Sequence, residues 1–310
     1  MLEQGNMTLS SEPASLAPPQ TQIRQWLRDA YDLTKPRITF LVLITTFTGM
    51  WLAVRGVPPL LLVISTLLGV GMASGSSSAF NNFIDREIDQ HMQRTRNRPL
   101  PTGRLSPQVA LWLGTFLGLS SFVFLSLTVN MLTAALALFT NFFYVVIYTI
   151  WLKRWSPLCT SIGGISGALP TVLGVTAVTG RIDTTALALF IIMYLWQPPH
   201  FWAIALIRSE EYRRVNIPML PVVKGEAVTK RQMLIYTVLL LPASLSLFWL
   251  GVTGPIYMGV AALLGITYLG LTIKFIFQPV TSKRAYQLFF FSIFYLCLLF
   301  VMMFVNCLPA

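Results

Sequence analysis

Apolar runs and short polar gaps alternate along the whole chain. The runs fall at roughly 38–54, 60–83, 107–128, 131–151, 162–179, 184–206, 232–251, 255–275 and 286–306. Each approaches or exceeds the length of about 20 residues that a helix needs to cross a bilayer. Inside hydrocarbon the backbone must bond to itself, which selects helices. The pattern therefore predicts an all-α fold, a polytopic membrane helical bundle of about nine transmembrane helices around a central cavity. It forms one domain over 23–310. The segment from Ile23 to Arg37 is polar and amphipathic and is expected to lie along the membrane surface. Residues 1–22 hold no Lys or Arg and are rich in Ser, Pro, Ala and Gln. They read as a disordered tail, neither a secretory signal nor an Arg-rich transit peptide.

Composition agrees with a membrane protein. Of 310 residues, 55% are hydrophobic and only 11% charged, which leaves no room for a large soluble domain. The net charge of +11 raises the question of nucleic acid. Its distribution answers it. Twenty of the 22 basic residues fall in alternate gaps, and only Arg55 and Arg181 lie in the others. That is the asymmetry expected of basic cytoplasmic loops. No nucleic-acid partner is implied. The N-terminus is expected inside and the C-terminus outside. Cys159, Cys297 and Cys307 make neither a metal spacing nor a disulfide framework. The pairs Gly71/Gly75, Gly114/Gly118 and Gly163/Gly167 predict close helix packing. Pro170 and Pro198–Pro199 are expected to interrupt their spans and open backbone toward the cavity.

Against this background one gap stands out, Asn81 to Ser106. It carries Asp85, Glu87 and Asp89 together with Arg86, Arg94, Arg96, Arg98 and Arg104. If the preceding helix continues, Asn81, Asp85 and Asp89 share one face at intervals of four. Two stacked carboxylates repel unless a cation lies between them. With an amide oxygen they are hard ligands suited to Mg²⁺ shared with phosphate oxygens. Arg94 and Arg98, again four apart, and Arg104 supply guanidinium groups that bind phosphate in bidentate fashion. The plainer alternative is a solvated loop whose charges only enforce topology.

A second polar stretch begins at Tyr194-Leu-Trp-Gln-Pro-Pro-His-Phe-Trp and runs to Lys224. Gln197 and His200 sit within apolar sequence, where polar groups usually have a task. A histidine bonded within the bundle is the alternative. Glu210 and Glu211 form either a second acidic corner opposite Asp85 and Asp89 or loop charges balancing Arg213 and Arg214. Lys153 and Arg154 end a span on the same side and either reach a phosphate or snorkel.

These residues resemble a known family. Asn81-Asn82-x-x-Asp85-x-x-x-Asp89 is similar to the aspartate motif of the UbiA-type intramembrane prenyltransferases, with Asn82 in place of its first Asp. The finer resemblance is to the protohaem IX farnesyltransferase (haem O synthase) branch. It rests on Leu33-Thr-Lys-Pro-Arg-Ile, Arg94-Thr-Arg-x-Arg-Pro-Leu-Pro-x-Gly-Arg, Tyr148-Thr-x-x-Leu-Lys-Arg, Gly163-Gly-x-x-Gly-Ala-x-Pro, Trp196-Gln-x-Pro-His-Phe and Ile217-Pro-Met-Leu-Pro-Val-Val. Two positions depart from the pattern. Glu210-Glu211-Tyr212 stands where the superfamily has a second aspartate motif, and Cys159 where an Asn is expected.

The resemblance implies transfer of the farnesyl group of farnesyl diphosphate to a vinyl group of haem B, with addition of water, giving haem O. Mg²⁺ is the implied cofactor, and haem B is substrate. Asn81, Asn82, Asp85 and Asp89 are the implied metal ligands. Asp85, Asp89, Arg94 and Arg98 are the implied catalytic group. Substrate binding is implied for Asn81, Lys35, Arg37 and Arg104, for Tyr148, Lys153 and Arg154, and for Gln197, His200 and Tyr212. His200 would ligate haem iron or bond a propionate, with His91 a further candidate. Phe83, Tyr144, Tyr148, Trp196 and Phe201 offer π faces for an allylic cation. Partners would be the lipid bilayer and a haem A synthase or terminal oxidase assembly. The expected location is a bacterial plasma (inner) membrane with a cytoplasmic active site. The alternatives are a related enzyme acting on a quinone precursor or chlorophyllide, and an ion-coupled transporter.

Overall fold

The computed structural model describes residues 19–309. Among them there is no strand, only one isolated bridge between Thr253 and Cys307. Helix α1 (Pro19–Leu33) precedes nine helices long and apolar enough to span a membrane. These are α2 (Pro36–Val54), α3 (Leu60–Gln90), α4 (Pro107–Thr128), α5 (Met131–Trp155), α6 (Cys159–Thr179) and α7 (Thr184–Ile207), then α10 (Gly225–Trp249), α11 (Pro255–Ile276) and α12 (Ser282–Val305). Two short helices, α8 (Ser209–Arg214) and α9 (Leu220–Val223), fill the connection after α7. The expected tail overlaps this architecture at its edge. Residues 19–22 already belong to α1, and residues 1–18 lie outside the described residues.

Local chemistry sets the helix ends. Pro36, Pro107 and Pro255 open α2, α4 and α11, where a missing N–H costs nothing and the fixed φ suits a first turn. Asn130 Oδ1 caps α5 at Thr133 N, 2.8 Å away, and Asp183 Oδ1 caps α7 at Ala186 N, 2.9 Å away. Lys35 and Arg55 flank α2 with φ of 49° and 57°. Such left-handed backbone is uncommon for residues with a side chain. Pro170, Pro198 and Pro199 do not break their spans. Helices α6 and α7 run on through them, contrary to expectation. Each proline removes one ladder donor, and neighbouring side chains within a bundle re-satisfy the freed groups.

Helices α6 and α7 form the centre. Two thirds of their apolar windows are buried, 67% each, against 33% or less for every other span. Helix α2 packs along α6 at very short range. A Cβ on Gly49 would meet Thr171 O, and one on Gly174 would meet Thr46 O. Neither glycine has another glycine four residues away. Helices α3 and α4 pair through Ser76 Oγ to Gly114 O at 2.6 Å and Ser121 Oγ to Gly69 O at 2.7 Å. The main apolar core joins α6 and α7 to α10, α11 and α12.

Helix α5 is irregular. Over Phe143–Leu152 it winds as a π-helix. Thr149 Oγ1 donates to Tyr144 O, five residues back, at 2.8 Å. π-Helical turns are rare and recur at functional sites. This one faces the charged end of α3.

Candidate active site

Helix α3 continues to Gln90, so Asn81, Asp85 and Asp89 do share one face. All three are buried, at 5%, 2% and 3% exposure. For residues this polar that requires partners. Asp85 Oδ2 accepts from Lys153 Nζ at 2.5 Å and from Asn81 Nδ2 at 2.8 Å. Asp89 Oδ2 accepts from Arg98 Nη1 at 2.6 Å. Asn81 Oδ1 accepts from Lys35 Nζ at 2.5 Å, and its Nδ2 also lies 3.3 Å from Thr149 Oγ1. The cluster thus draws on α3, the α1–α2 junction, the π-helix of α5 and the loop after α3. The left-handed backbone at Lys35 sits at the point where that ammonium turns inward.

One fully buried atom in the cluster lacks a partner among the described residues. Asp85 Oδ1 is buried and makes no hydrogen bond. A bare carboxylate oxygen beside a saturated one is costly unless something else binds there. Burial, with the nearby Arg98 charge adding to it, pushes the Lys35 ammonium down to about 7. That is the behaviour of a cation enclosed without a full counter-charge.

A cleft of about 290 Å³ opens beside the cluster, lined by Asp32, Lys35, Asn82, Arg94, Asn97, Arg98, Pro99 and Arg104. Arg94 is exposed and makes no hydrogen bond or ion pair among the described residues. Arg104 is held: its Nε donates to both carboxylate oxygens of Asp29 at 3.2 and 3.1 Å, and its Nη2 to Asn97 O. Asp29 is 2% exposed and lies on α1, so the surface helix is tied to the arginine loop. The other polar connection closes over the opposite side. Glu211 Oε1 on α8 accepts from Gln93 N at 3.0 Å. Glu210 is committed to Arg213 at 2.5 Å and Arg214 at 3.8 Å, as loop charges are. Tyr212 packs against the main core, and burial raises its phenol.

Several expected residues stand elsewhere. Asn82 turns away from the aspartates. Its Nδ2 donates to Ser78 O and to Leu33 O, the latter on α1. Arg37 is exposed and joins none of these contacts. Arg154 Nη2 donates to Ile84 O at 3.0 Å, bracing α3 from behind. Gln197 Nε2 donates to Gly164 O and Met193 O, and Gly167 leaves room for its amide. His91 is exposed and bonds Glu87 O within its own turn. His200 lies between α7 and α12, buried among aromatic rings. Of the expected aromatics, Tyr144 and Tyr148 pair at 5.4 Å on the π-helix that carries Thr149, and Tyr148 packs against Gly163. Phe83 sits under Arg86 at 4.8 Å, and Phe201 is half exposed. Cys159 is buried with its Sγ 3.6 Å from Met219 Sδ.

The family model described as "UbiA prenyltransferase family" matches residues 42–298. The chain belongs to the UbiA prenyltransferase family. Curated relatives cover nearly its whole length. A protoheme IX farnesyltransferase of Symbiobacterium thermophilum is 45% identical over 286 residues, 92% of this chain and 96% of the relative. One from Gloeobacter violaceus is 48% identical over 278 residues, 89% of this chain and 91% of the relative. Solved structures share the UbiA fold at low identity. A digeranylgeranylglyceryl phosphate synthase superposes with a TM-score of 0.78 at 18% identity, covering 90% of this chain and 98% of that one. A UbiA homolog from Archaeoglobus fulgidus, bound to GPP and Mg²⁺, superposes with a TM-score of 0.62 at 15% identity, covering 89% and 99%. This UbiA member is an intramembrane prenyltransferase by family and fold.

Four features of the site carry no sequence signal. They are the π-helical winding, Thr149 as a partner of Asn81, Asp29 behind Arg104, and the Gln93–Glu211 link. A threonine in an apolar span and an acid on a polar helix face are both ordinary.

Proposed function

We propose that the protein transfers the farnesyl group of farnesyl diphosphate to a vinyl group of haem B, with addition of water, releasing haem O and diphosphate. The observation that carries the chemistry is the buried, unpartnered Oδ1 of Asp85 amid Asn81, Asp89, Lys153, Lys35 and Arg98. The identity of the acceptor rests on curated relatives at 40–48% identity that are named protoheme IX farnesyltransferase.

The donor set fits Mg²⁺. Among the described residues no three His, Cys, Asp or Glu side chains converge into a closed metal cage. Mg²⁺ shared with phosphates needs only one or two carboxylates and keeps its other positions for phosphate oxygens and water. Asp85 and Asp89, with Asn81, would hold it. When bound it supplies positive charge against the departing diphosphate.

The chain's own residues do the rest. Lys153, which pairs with the Asp85 carboxylate, and Lys35, which donates to Asn81 Oδ1, would turn to the diphosphate oxygens. Arg98 and Arg94 add guanidinium donors from the loop above. Charge placed in advance at the leaving group is commonly the largest catalytic term. As the C–O bond to diphosphate breaks, the faces of Tyr144 and Tyr148 stabilise the allylic cation. The vinyl carbon of haem B attacks the farnesyl C1, and water adds to the cation left on the neighbouring carbon, then loses a proton. The surrounding apolar spans exclude other water from the cation. The 20-to-2 distribution of basic residues supports a cytoplasmic active site; a bacterial inner membrane and passage of the product to a haem A synthase or oxidase assembly belong to the same proposal.

The test is pigment analysis. Membranes holding the protein receive farnesyl diphosphate and Mg²⁺, and the extracted haems are separated. The expected species is heavier than haem B by a farnesyl group plus water and vanishes with EDTA. Unchanged haem B in well-folded membranes overturns the acceptor assignment.

A further inference from the structure

Ser292 on α12 holds two residues of α7. Its carbonyl accepts from Trp196 Nε1 at 2.7 Å. Its hydroxyl lies 2.7 Å from His200 Nδ1 and 2.6 Å from Phe289 O. A carbonyl can only accept, so with both contacts made the single hydroxyl proton is assigned to Phe289 O, the shorter of the two. The bond to His200 must then carry the proton of Nδ1. That fixes the neutral ring as the Nδ1–H tautomer and leaves the lone pair on Nε2.

The rest of the ring is immobilised. Trp196 covers one face at 4.4 Å and 22°, and Phe289 stacks at 4.4 Å and 23°. Phe201 meets it edge-on at 5.1 Å. Nε2 has no hydrogen-bond partner among the described residues, and the residue keeps 8% of its surface accessible. An imidazole that donates one N–H to a fixed acceptor and presents the other nitrogen bare has the form of a metal-ligating histidine. His200 lies seven residues before the end of α7, about 10 Å along its axis by the helical rise. At that end α8 meets the loop after Asp85 and Asp89.

Resting on the farnesyl-transfer reading, we propose that Ser292 is a positioning residue for the acceptor: its hydroxyl locks His200 so that Nε2 takes the haem iron. Trp196 bonds the Ser292 backbone carbonyl, so Ser292→Ala removes the lock while that helix contact remains.

The chain has two histidines, His91 and His200, so ¹⁵N-histidine labelling yields two ring systems, assigned with His91→Gln. The wild-type His200 ring is expected with its proton on Nδ1. Ser292→Ala is expected to move the proton to Nε2 or to mix the tautomers. In a titration with haem B, wild type should show the Soret shift of imidazole ligation. His200→Ala should lose the shift, and Ser292→Ala should weaken binding about tenfold. A wild-type proton on Nε2, or a tautomer unchanged in Ser292→Ala, overturns the proposal. An unchanged Soret band in His200→Ala overturns the iron assignment. Should that variant still make haem O, the transfer reading stands without it. Ligation through His200 with no haem O formed removes the transfer reading and leaves the positioning role standing.

Discussion

Lys153 Nζ donates to Asp85 Oδ2 at 2.5 Å, across 68 residues of chain. Their side chains are 18% and 2% exposed. The π-helix ends at Leu152, so its winding decides where Lys153 emerges against α3. An ammonium thus holds this carboxylate through one oxygen, and the other oxygen stays bare. In the proposed reaction this pairing is exchanged for a diphosphate and its metal.

Removing one partner leaves the other charge buried alone. Lys153→Met should lower stability in detergent by about 3–5 kcal/mol, the usual cost of breaking a buried pair from one side. The double variant with Asp85→Asn should be more stable than the sum of the single losses. Thermal unfolding of the four proteins measures the coupling. Strict additivity would mean that the pair contributes nothing.

Asp85→Asn on its own keeps the shape and removes the charge. Haem O formation should fall by about 10²–10³ or more, the loss seen when a single charge-stabilising group is deleted. The protein should still extract as one folded species, since Asn can bond Asn81 and Lys153 weakly. Full haem O accumulation in this variant would exclude the proposed Mg²⁺ site.

Thr149 is a subtler case. Its hydroxyl donates to Tyr144 O and accepts from Asn81 Nδ2, so it orients Asn81 between Asp85 and Lys35. Thr149→Val preserves volume and deletes both bonds. A hydrogen bond contributes about 0.5–1.5 kcal/mol, so kcat/KM should drop roughly threefold to tenfold. Thr149→Ser should restore most of it. Equal activity in the valine and serine variants would show that the hydroxyl has no part in the site.

The spans were legible because nothing but a helix satisfies a backbone in lipid. All nine apolar runs are helices, and most edges fall within a few residues of the expected bounds. Periodicity likewise placed Asn81, Asp85 and Asp89 on one face. What escaped is what depends on distant partners. Asn82 is one residue from Asn81, yet the turn of 100° per residue sends it toward Leu33 O. Ser292 is one more serine in an apolar run until its two α7 partners are known. Proline departs from its usual meaning here, because a bundle can absorb one missing bond without opening the helix.

Glycine spacing shows the same limit and gives the last prediction. Gly71 and Gly75 form a small-xxx-small pair, yet the nearest atom to a Cβ on Gly71 would be Leu43 Cδ2 at 3.7 Å. That is ordinary contact. Gly49 and Gly174 have no glycine four residues away but press backbone to backbone between α2 and α6. A methyl group there meets carbonyl oxygens of the facing helix, which no rotamer change relieves. Gly174→Ala should therefore cost about 1–3 kcal/mol or more through overpacking. Gly71→Ala should be neutral or mildly stabilising, because Ala loses less backbone entropy than Gly in a helix. Helix α2 also begins just after Lys35, so shifting it draws the ammonium from Asn81. Gly174→Ala should accordingly raise KM for farnesyl diphosphate in whatever fraction folds, and Gly71→Ala should not. Melting temperatures and KM values for the two variants, side by side, decide it. Identical behaviour would mean that the α2–α6 approach is looser than the backbone contact implies.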